Sequence, residues 1–268
     1  MKDLGKRNVL GVLVDAVDRK AAVRKVIRAA RRLDQYQVTA LAVHGVMTGT
    51  RNEEYRRRLN GFDLVVPDGQ PVRWALNLLY GTRLKSPVRG TDLVVGLLAA
   101  AEREKLSVFF YGSKPETLER VVEHVEVRFP QLRVAGVMPS AFRAVAEQDQ
   151  AKISDEVRSS GAAIVFVGLG CPRQEVFVSA MSQRVGVPLI AVGAAFDYLA
   201  GTLREPPRLI GRWGLEWAWR LLLEPRRLWR RYVLLNPAYL GLLTAQALGL
   251  YRPACVTGTA GRVDQLDA

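Results

Sequence analysis

The chain has 268 residues, 49% of them hydrophobic and 24% charged, the composition of a globular protein long enough for one large domain or a domain with an attachment. Its two cysteines, Cys171 and Cys255, are too few for a disulfide scaffold or a cysteine-held metal, and they fit a reducing compartment. The formal charge of +13 calls for an anionic partner, whether nucleic acid, anionic lipid or a phosphorylated substrate, without choosing among them.

Lys2, Lys6 and Arg7 precede an apolar run, 9–14, that stops at Asp15 without a small-residue cleavage site, so no signal peptide is expected and the active part is expected in the cytoplasm. That run is the first candidate strand, and 17–34 follows with apolar residues at helical spacing. Further candidate strands are 38–43, 64–66, 107–111, 133–137, 163–167 and 188–192; helical spacing recurs over 52–60, 70–80, 92–104, 115–129, 146–159 and 174–184. The alternation predicts an α/β fold, a Rossmann-like, mostly parallel sheet flanked by helices. Residues 1–203 form this core, 204–252 an Arg- and Trp-rich helical appendage, and 253–268 a small, polar, frayed tail.

In such a sheet ligands bind beyond the carboxyl ends of the strands, so the residues just after each strand are the candidates. Strand 38–43 runs into His44, either an interior histidine or a functional one. Strand 64–66 ends in Pro67, Asp68 and Gly69; Asp68 either caps the following helix or takes a proton as a general base. Arg89, Gly90 and Asp92 open the next helix, where Arg89 reaches an anion or makes a surface ion pair. The run Tyr111, Gly112, Ser113, Lys114, Pro115 is a glycine turn into a proline-started helix, whose N–H groups suit phosphate. Gly168, Gly170, Arg173 and Gln174 make either a ligand-facing loop or a plain turn with a surface arginine. Gly193 and Asp197 lie in a run of small residues, with Asp197 a cap or a second carboxylate.

Between Arg204 and Tyr232 stand four of the five tryptophans and eight arginines, with no lysine. Arginine is a permanently charged fork for phosphate and carboxylate, and tryptophan favours the belt between lipid and water. Residues 232–251 are uncharged and about long enough for a span, but Asn236 and Pro237 interrupt them; a surface-lying or packed helix pair is the preferred reading, and docking of 238–250 on the core is the alternative. The chain lacks a phosphate-binding P-loop, a complete dinucleotide fingerprint and any Asp-x-Asp pair, and its two histidines are too far apart in sequence for a zinc site.

On Pro67–Asp68–Gly69, Val88–Arg89–Gly90 with Asp92, Tyr111–Gly112 with Pro115, Gly168/Gly170/Pro172 with Gln174–Glu175, Gly193 with Phe196–Asp197, and the block from Gly214 to Arg227, the chain resembles the WecG/TagA/CpsF family of bacterial glycosyltransferases. The resemblance implies inverting, metal-independent transfer of a sugar from a UDP donor to a polyprenyl-diphosphate-linked saccharide, in polymer synthesis at the cytoplasmic face of the inner membrane. It implies Asp68 as base, Arg89, Gly112, Gln174, Gly193 and Asp197 in the substrate pocket, and Arg220, Arg227 and Arg230 closing over the diphosphate, with no cofactor and no metal. The expected partners are the donor, the acceptor and an anionic membrane surface, not nucleic acid; homo-oligomerisation is left open. One departure stands out: Ala40 and Ala42 replace the family's polar pair, so His44 is a candidate to orient the sugar, and a non-catalytic basic membrane-binding protein of the same fold is the alternative reading.

Overall fold

The computed structural model describes residues 1–140, 147–204 and 216–254. The chain opens with β1 (Asp3–Val9) and β2 (Val12–Val17), paired antiparallel around Leu10 and Gly11. Both turn residues have positive φ, 54° and 91°, the backbone that matches the twist of a two-residue hairpin. The single strand expected over 9–14 is therefore corrected to two arms of a hairpin that stands outside the main sheet, because the turn sits in the middle of the apolar run.

Six strands form the main sheet: β3 (Tyr36–Leu41), β4 (Leu64–Pro67), β5 (Val108–Gly112), β6 (Val134–Met138), β7 (Ile164–Gly168) and β8 (Pro188–Ala191). Their order is β4-β3-β8-β7-β5-β6, and every neighbouring pair is parallel. The central strands are apolar on both faces because helices cover both. One face carries α1 (Arg19–Arg32), α5 (Gly90–Arg103), α6 (Pro115–Arg128) and α9 (Ala195–Leu199), packed around Val26, Leu97, Phe110, Phe166 and Phe196. The other carries α2 (Val43–Arg51), α3 (Glu53–Asn60), α4 (Gln70–Tyr80), α7 (Glu147–Ser160) and α8 (Arg173–Val185), packed around Met47, Leu76, Phe109, Phe177 and Met181.

Local signals set several boundaries. Asp18 caps α1, its carboxylate accepting from the Ala21 N–H at 2.9 Å, and Asn52 caps α3 through the Tyr55 N–H at 2.9 Å. The hairpin also finishes the sheet edge: the Asp15 carboxylate of β2 accepts from the Val65 N–H of edge strand β4 at 2.8 Å. Helix α2 was not expected from the sequence, since Gly45, Thr48, Gly49 and Thr50 lower its propensity. Packing supplies what propensity lacks. A Cβ on Gly49 would lie 2.7 Å from Val12 Cγ2, so glycine lets the helix lie directly on the hairpin.

The segment after residue 215 contains α10 (Glu216–Leu223), α11 (Pro225–Arg230), a π-helical turn (Arg231–Leu235) and α12 (Asn236–Ala247). Proline 237 sits in the first turn of α12, where its missing N–H costs nothing. The docking alternative for this segment is what the structure adopts. Tyr239 and Leu243 are 1% and 5% exposed and belong to the same apolar cluster as α2, α4 and the hairpin. Tyr239 donates to the Pro71 carbonyl at 3.2 Å, and the Gln246 amide bridges the hairpin, donating to Asn8 O at 2.9 Å and accepting from Leu10 N at 3.0 Å. Among the described residues no helix is long and apolar enough to cross a membrane.

Candidate active site

The strand order reverses direction around β3, β8, β7 and β5, and a cleft of about 1040 Å³ opens above their carboxyl ends. Asp68 lines it. The Asp68 N–H donates to Leu41 O at 3.1 Å, which extends the β3–β4 ladder by one bond, and the Val88 N–H donates to Pro67 O at 2.9 Å. These two bonds anchor Asp68 and the loop ahead of Arg89 on the same strand end. Of the two readings of Asp68, the capping one is not used: the cap of α4 is Gly69, at φ 82° and ψ 158°, with no side-chain cap bond.

Arg89 is the cap residue of α5 and lines the cleft, as does Gly90. A Cβ on Gly90 would lie 3.2 Å from Val192 O and 3.5 Å from Ala40 Cβ, so the start of α5 approaches β3 and β8 closely. Ala40 and Ala42, where the family's polar pair is missing, both line the cleft, and Ala40 is the small partner of Gly90 in that approach. His44 lies in the first turn of α2 rather than at a strand end, and it too lines the cleft. The Thr48 hydroxyl donates to His44 O at 2.8 Å and lies 3.1 Å from His44 Nδ1, which holds the ring against its own helix.

Ser113, Lys114 and Thr117 at the start of α6 line the cleft; Gly112 itself does not. A Cβ there would meet the Gly168 carbonyl oxygen at 2.7 Å, and φ is 110°, so close strand packing explains this glycine. Gly168 in turn faces the Phe196 ring, 2.5 Å from where its Cβ would sit. Gly170, at φ 77°, has open space around it and lines the cleft with Cys171 and Arg173. Gln174 is 2% exposed; its Oε1 accepts from Gly170 N at 3.1 Å and its Nε2 donates to Glu175 Oε1 at 2.8 Å. Gly193 and Asp197 line the opposite wall, and the Asp197 carbonyl accepts from the Thr202 hydroxyl at 3.0 Å.

Among the described cleft residues four are cationic, Arg51, Arg89, Lys114 and Arg173, against the carboxylates Asp68 and Asp197. Helices α5, α6 and α8 begin at the cleft, adding the partial positive charge of their first turns. The described lining of the cleft therefore carries a surplus of positive charge, with the Asp68 carboxylate at a strand end. Among the described residues no group of three His, Cys, Asp or Glu side chains could hold a metal ion. Arg51 escaped sequence reasoning because it ends a helix that propensity hides. Thr39 and Tyr55 beneath the cleft escaped it because each looks like an ordinary core or helix residue, and Glu175, though part of the family block, was given no role there.

The C-terminal segment supplies one rim. Leu228 of α11, 1% exposed, and Leu234 and Leu235 of the π-helical turn line the cleft. Arg220, Arg227 and Arg230 belong to α10 and α11, and their side chains lie outside the described residues.

The family model described as Glycosyl transferase WecG/TagA/CpsF family matches residues 7–253. The chain is 35% identical over 185 residues, 68% of each chain, to an N-acetylglucosaminyldiphosphoundecaprenol N-acetyl-beta-D-mannosaminyltransferase of Bacillus spizizenii. It is 29% identical over 182 residues, again 68% of each, to a protein of the same name from Bacillus subtilis.

Proposed function

The chain belongs to the WecG/TagA/CpsF family and is a glycosyltransferase, and from that premise we propose that it transfers a sugar from a UDP-sugar to a polyprenyl-diphosphate-linked saccharide in cell-envelope polymer synthesis. The observation that carries the reading is the placement of Asp68 on the strand end that also anchors the Arg89 loop, facing a cationic cleft. The names of the two relatives support a lipid-linked acceptor and make N-acetylmannosamine the first sugar to try.

In the proposed step an acceptor hydroxyl attacks the anomeric carbon from the face opposite UDP. Asp68 takes the hydroxyl proton, the new glycosidic bond forms and the bond from C1 to the diphosphate oxygen breaks, inverting the configuration. Negative charge grows on the departing diphosphate. Arg89, Lys114 and Arg173, with the starts of α5, α6 and α8, stabilise it without a metal, and Arg220, Arg227 and Arg230 are proposed to close over it. His44, which lines the cleft, is proposed to hydrogen-bond a sugar hydroxyl where the family's polar pair is absent.

Peripheral attachment to the cytoplasmic face of the membrane is part of the proposal, and the outward side of the C-terminal segment supports a membrane contact. Leu222 is 77% exposed, Val233 57%, Leu240 53% and Trp229 46%, an apolar face that water alone does not favour. The test is UDP release from sugar nucleotides with a lipid-diphosphate N-acetylglucosamine acceptor. Asp68→Asn is expected to lower kcat about 10²–10⁴-fold with UDP affinity kept; full turnover in that variant removes Asp68 from the role. A triple Arg220→Ala, Arg227→Ala, Arg230→Ala change tests the clamp more cleanly than truncation, since truncation also strips Tyr239 and Leu243 from the core. The second reading, a non-catalytic membrane-binding relative, draws on Ala40 and Ala42 in the cleft, and vesicle binding without saturable UDP binding would favour it.

A further inference from the structure

Beneath the cleft lies a carboxyl group that the proposed step does not use. Glu175, in the first turn of α8, is 0% exposed. Its Oε1 accepts from Thr39 Oγ1 of β3 at 2.9 Å and from Gln174 Nε2 at 2.8 Å, while Oε2 accepts from the Tyr55 hydroxyl of α3 at 3.1 Å. One side chain thus ties a strand and two helices together.

We propose that Glu175 is a positioning residue that sets the shape of the turn from Gly170 to Gln174, and with it the place of Arg173 and of the Gly193 loop around the donor's diphosphate. The proposal deepens the donor-binding reading above and rests on it. Gly170 and Gln174 exchange two bonds, Gly170 N to Gln174 Oε1 at 3.1 Å and Gln174 N to Gly170 O at 3.0 Å, so the Gln174 amide closes the turn. The other end of that amide is the group held by Glu175. A Cβ added at Gly193 would lie 3.6 and 3.7 Å from the Gln174 amide oxygen and nitrogen, so the loop after β8 passes close to the same amide. The Tyr55 hydroxyl also lies 3.4 Å from Cys171 Sγ, a second tie to the turn.

An apolar residue would fill this place in the core without the cost of burying a carboxyl. Burial is the largest influence on Glu175 and raises its pKa even though Gln174, Thr39 and Tyr55 all donate to it. Two of its three bonds lead toward the turn, since the Gln174 amide closes it and the Tyr55 hydroxyl touches Cys171, and that is the use the burial cost points to.

The experiment uses the full chain with Cys255→Ser, leaving Cys171 as its single thiol. Glu175→Leu, Glu175→Gln and Thr39→Val are compared by the rate of Cys171 alkylation with iodoacetamide, by UDP affinity, and by kcat and donor KM. Glu175→Leu is expected to speed alkylation and to raise the UDP Kd and donor KM about tenfold, with a smaller change in kcat. Glu175→Gln, whose amide still accepts from Thr39 and Gln174, is expected to return all three to within about threefold of wild type. If Glu175→Leu melts at a lower temperature but keeps wild-type alkylation, Kd and KM, the residue only supports the fold and the proposal is overturned. If wild type binds no UDP, the donor reading fails, and the alkylation difference between Leu and Gln still decides whether Glu175 positions the turn. Should Glu175→Leu not fold, Thr39→Val, which removes a bond to Glu175 without touching Cys171, decides: faster alkylation supports the proposal, an unchanged rate overturns it.

Discussion

The floor of the cleft and its C-terminal rim are built on opposite principles. The floor is closed: Gly112 fits against Gly168, Gly168 against Phe196, and the polar groups of Thr39, Tyr55, Gln174 and Glu175 find partners inside the protein. The rim is held on one side only. Leu228, Tyr239 and Leu243 face inward, while Leu222, Trp229, Val233 and Leu240 face out. A surface sealed by its own contacts is rigid enough to position a small ligand; a surface left apolar outward is open to a partner, and the proposed attachment to a bilayer would use it.

The sharpest way to break this contrast is to open the floor. Gly112→Ala places a Cβ against the Gly168 backbone in a left-handed conformation, so it is expected to cost about 3 kcal/mol or more, a drop of roughly 6–12 °C in melting temperature. If thermal melting shows no change, the floor is softer than the contacts imply.

Next in size is a pH effect at the sheet edge that borders the floor. Burial, the largest cause, raises the Asp15 carboxyl from 3.8 to about 6, against the Val65 N–H and Lys6, which lower it. The folded state therefore holds this proton more tightly than the unfolded chain does. The stabilisation is complete below pH 3.8 and is lost as pH rises through about 6, up to ~3 kcal/mol. Asp15→Asn, which still accepts from Val65 N–H, is expected to be more stable than wild type at pH 8, with the advantage shrinking toward pH 4 in denaturant titrations. Equal pH slopes for the two proteins would count against it.

The rim should respond more mildly. Tyr239→Phe removes the bond to the Pro71 carbonyl and is expected to cost about 1 kcal/mol while leaving the floor's thiol reactivity unchanged. Smallest per site are the changes Leu222→Ser, Trp229→Ser and Leu240→Ser, made together and each expected to shift stability by no more than about 0.5 kcal/mol. Its effect belongs to co-sedimentation with anionic vesicles, which should fall while UDP affinity holds. Retained vesicle binding would move the membrane contact elsewhere.

Much of the frame was legible because it is written locally. Apolar runs between amphipathic segments specified the parallel sheet, Pro67–Asp68–Gly69 marked a strand end, and the Pro115 turn marked a helix start in the cleft wall. The hairpin, α2 and the docked α12 were not legible, since a turn hidden in an apolar run, a glycine-rich helix and an uncharged stretch acquire their meaning from what they pack against.

By itself the sequence determined the α/β class, the strand-end position of Asp68, the surplus of positive charge and the family, because periodicity, turn chemistry and ordered motifs lie along the chain. Only the tertiary structure decided that Gly69 rather than Asp68 caps α4, that Gly112 serves packing, and that Gln174 and Glu175 brace the turn under the cleft. It also decided that residues 236–247 dock on the hairpin. Those outcomes depend on burial and on partners distant in sequence, Thr39 with Glu175 or Gln246 with Leu10, which the folded chain alone brings within hydrogen-bonding reach.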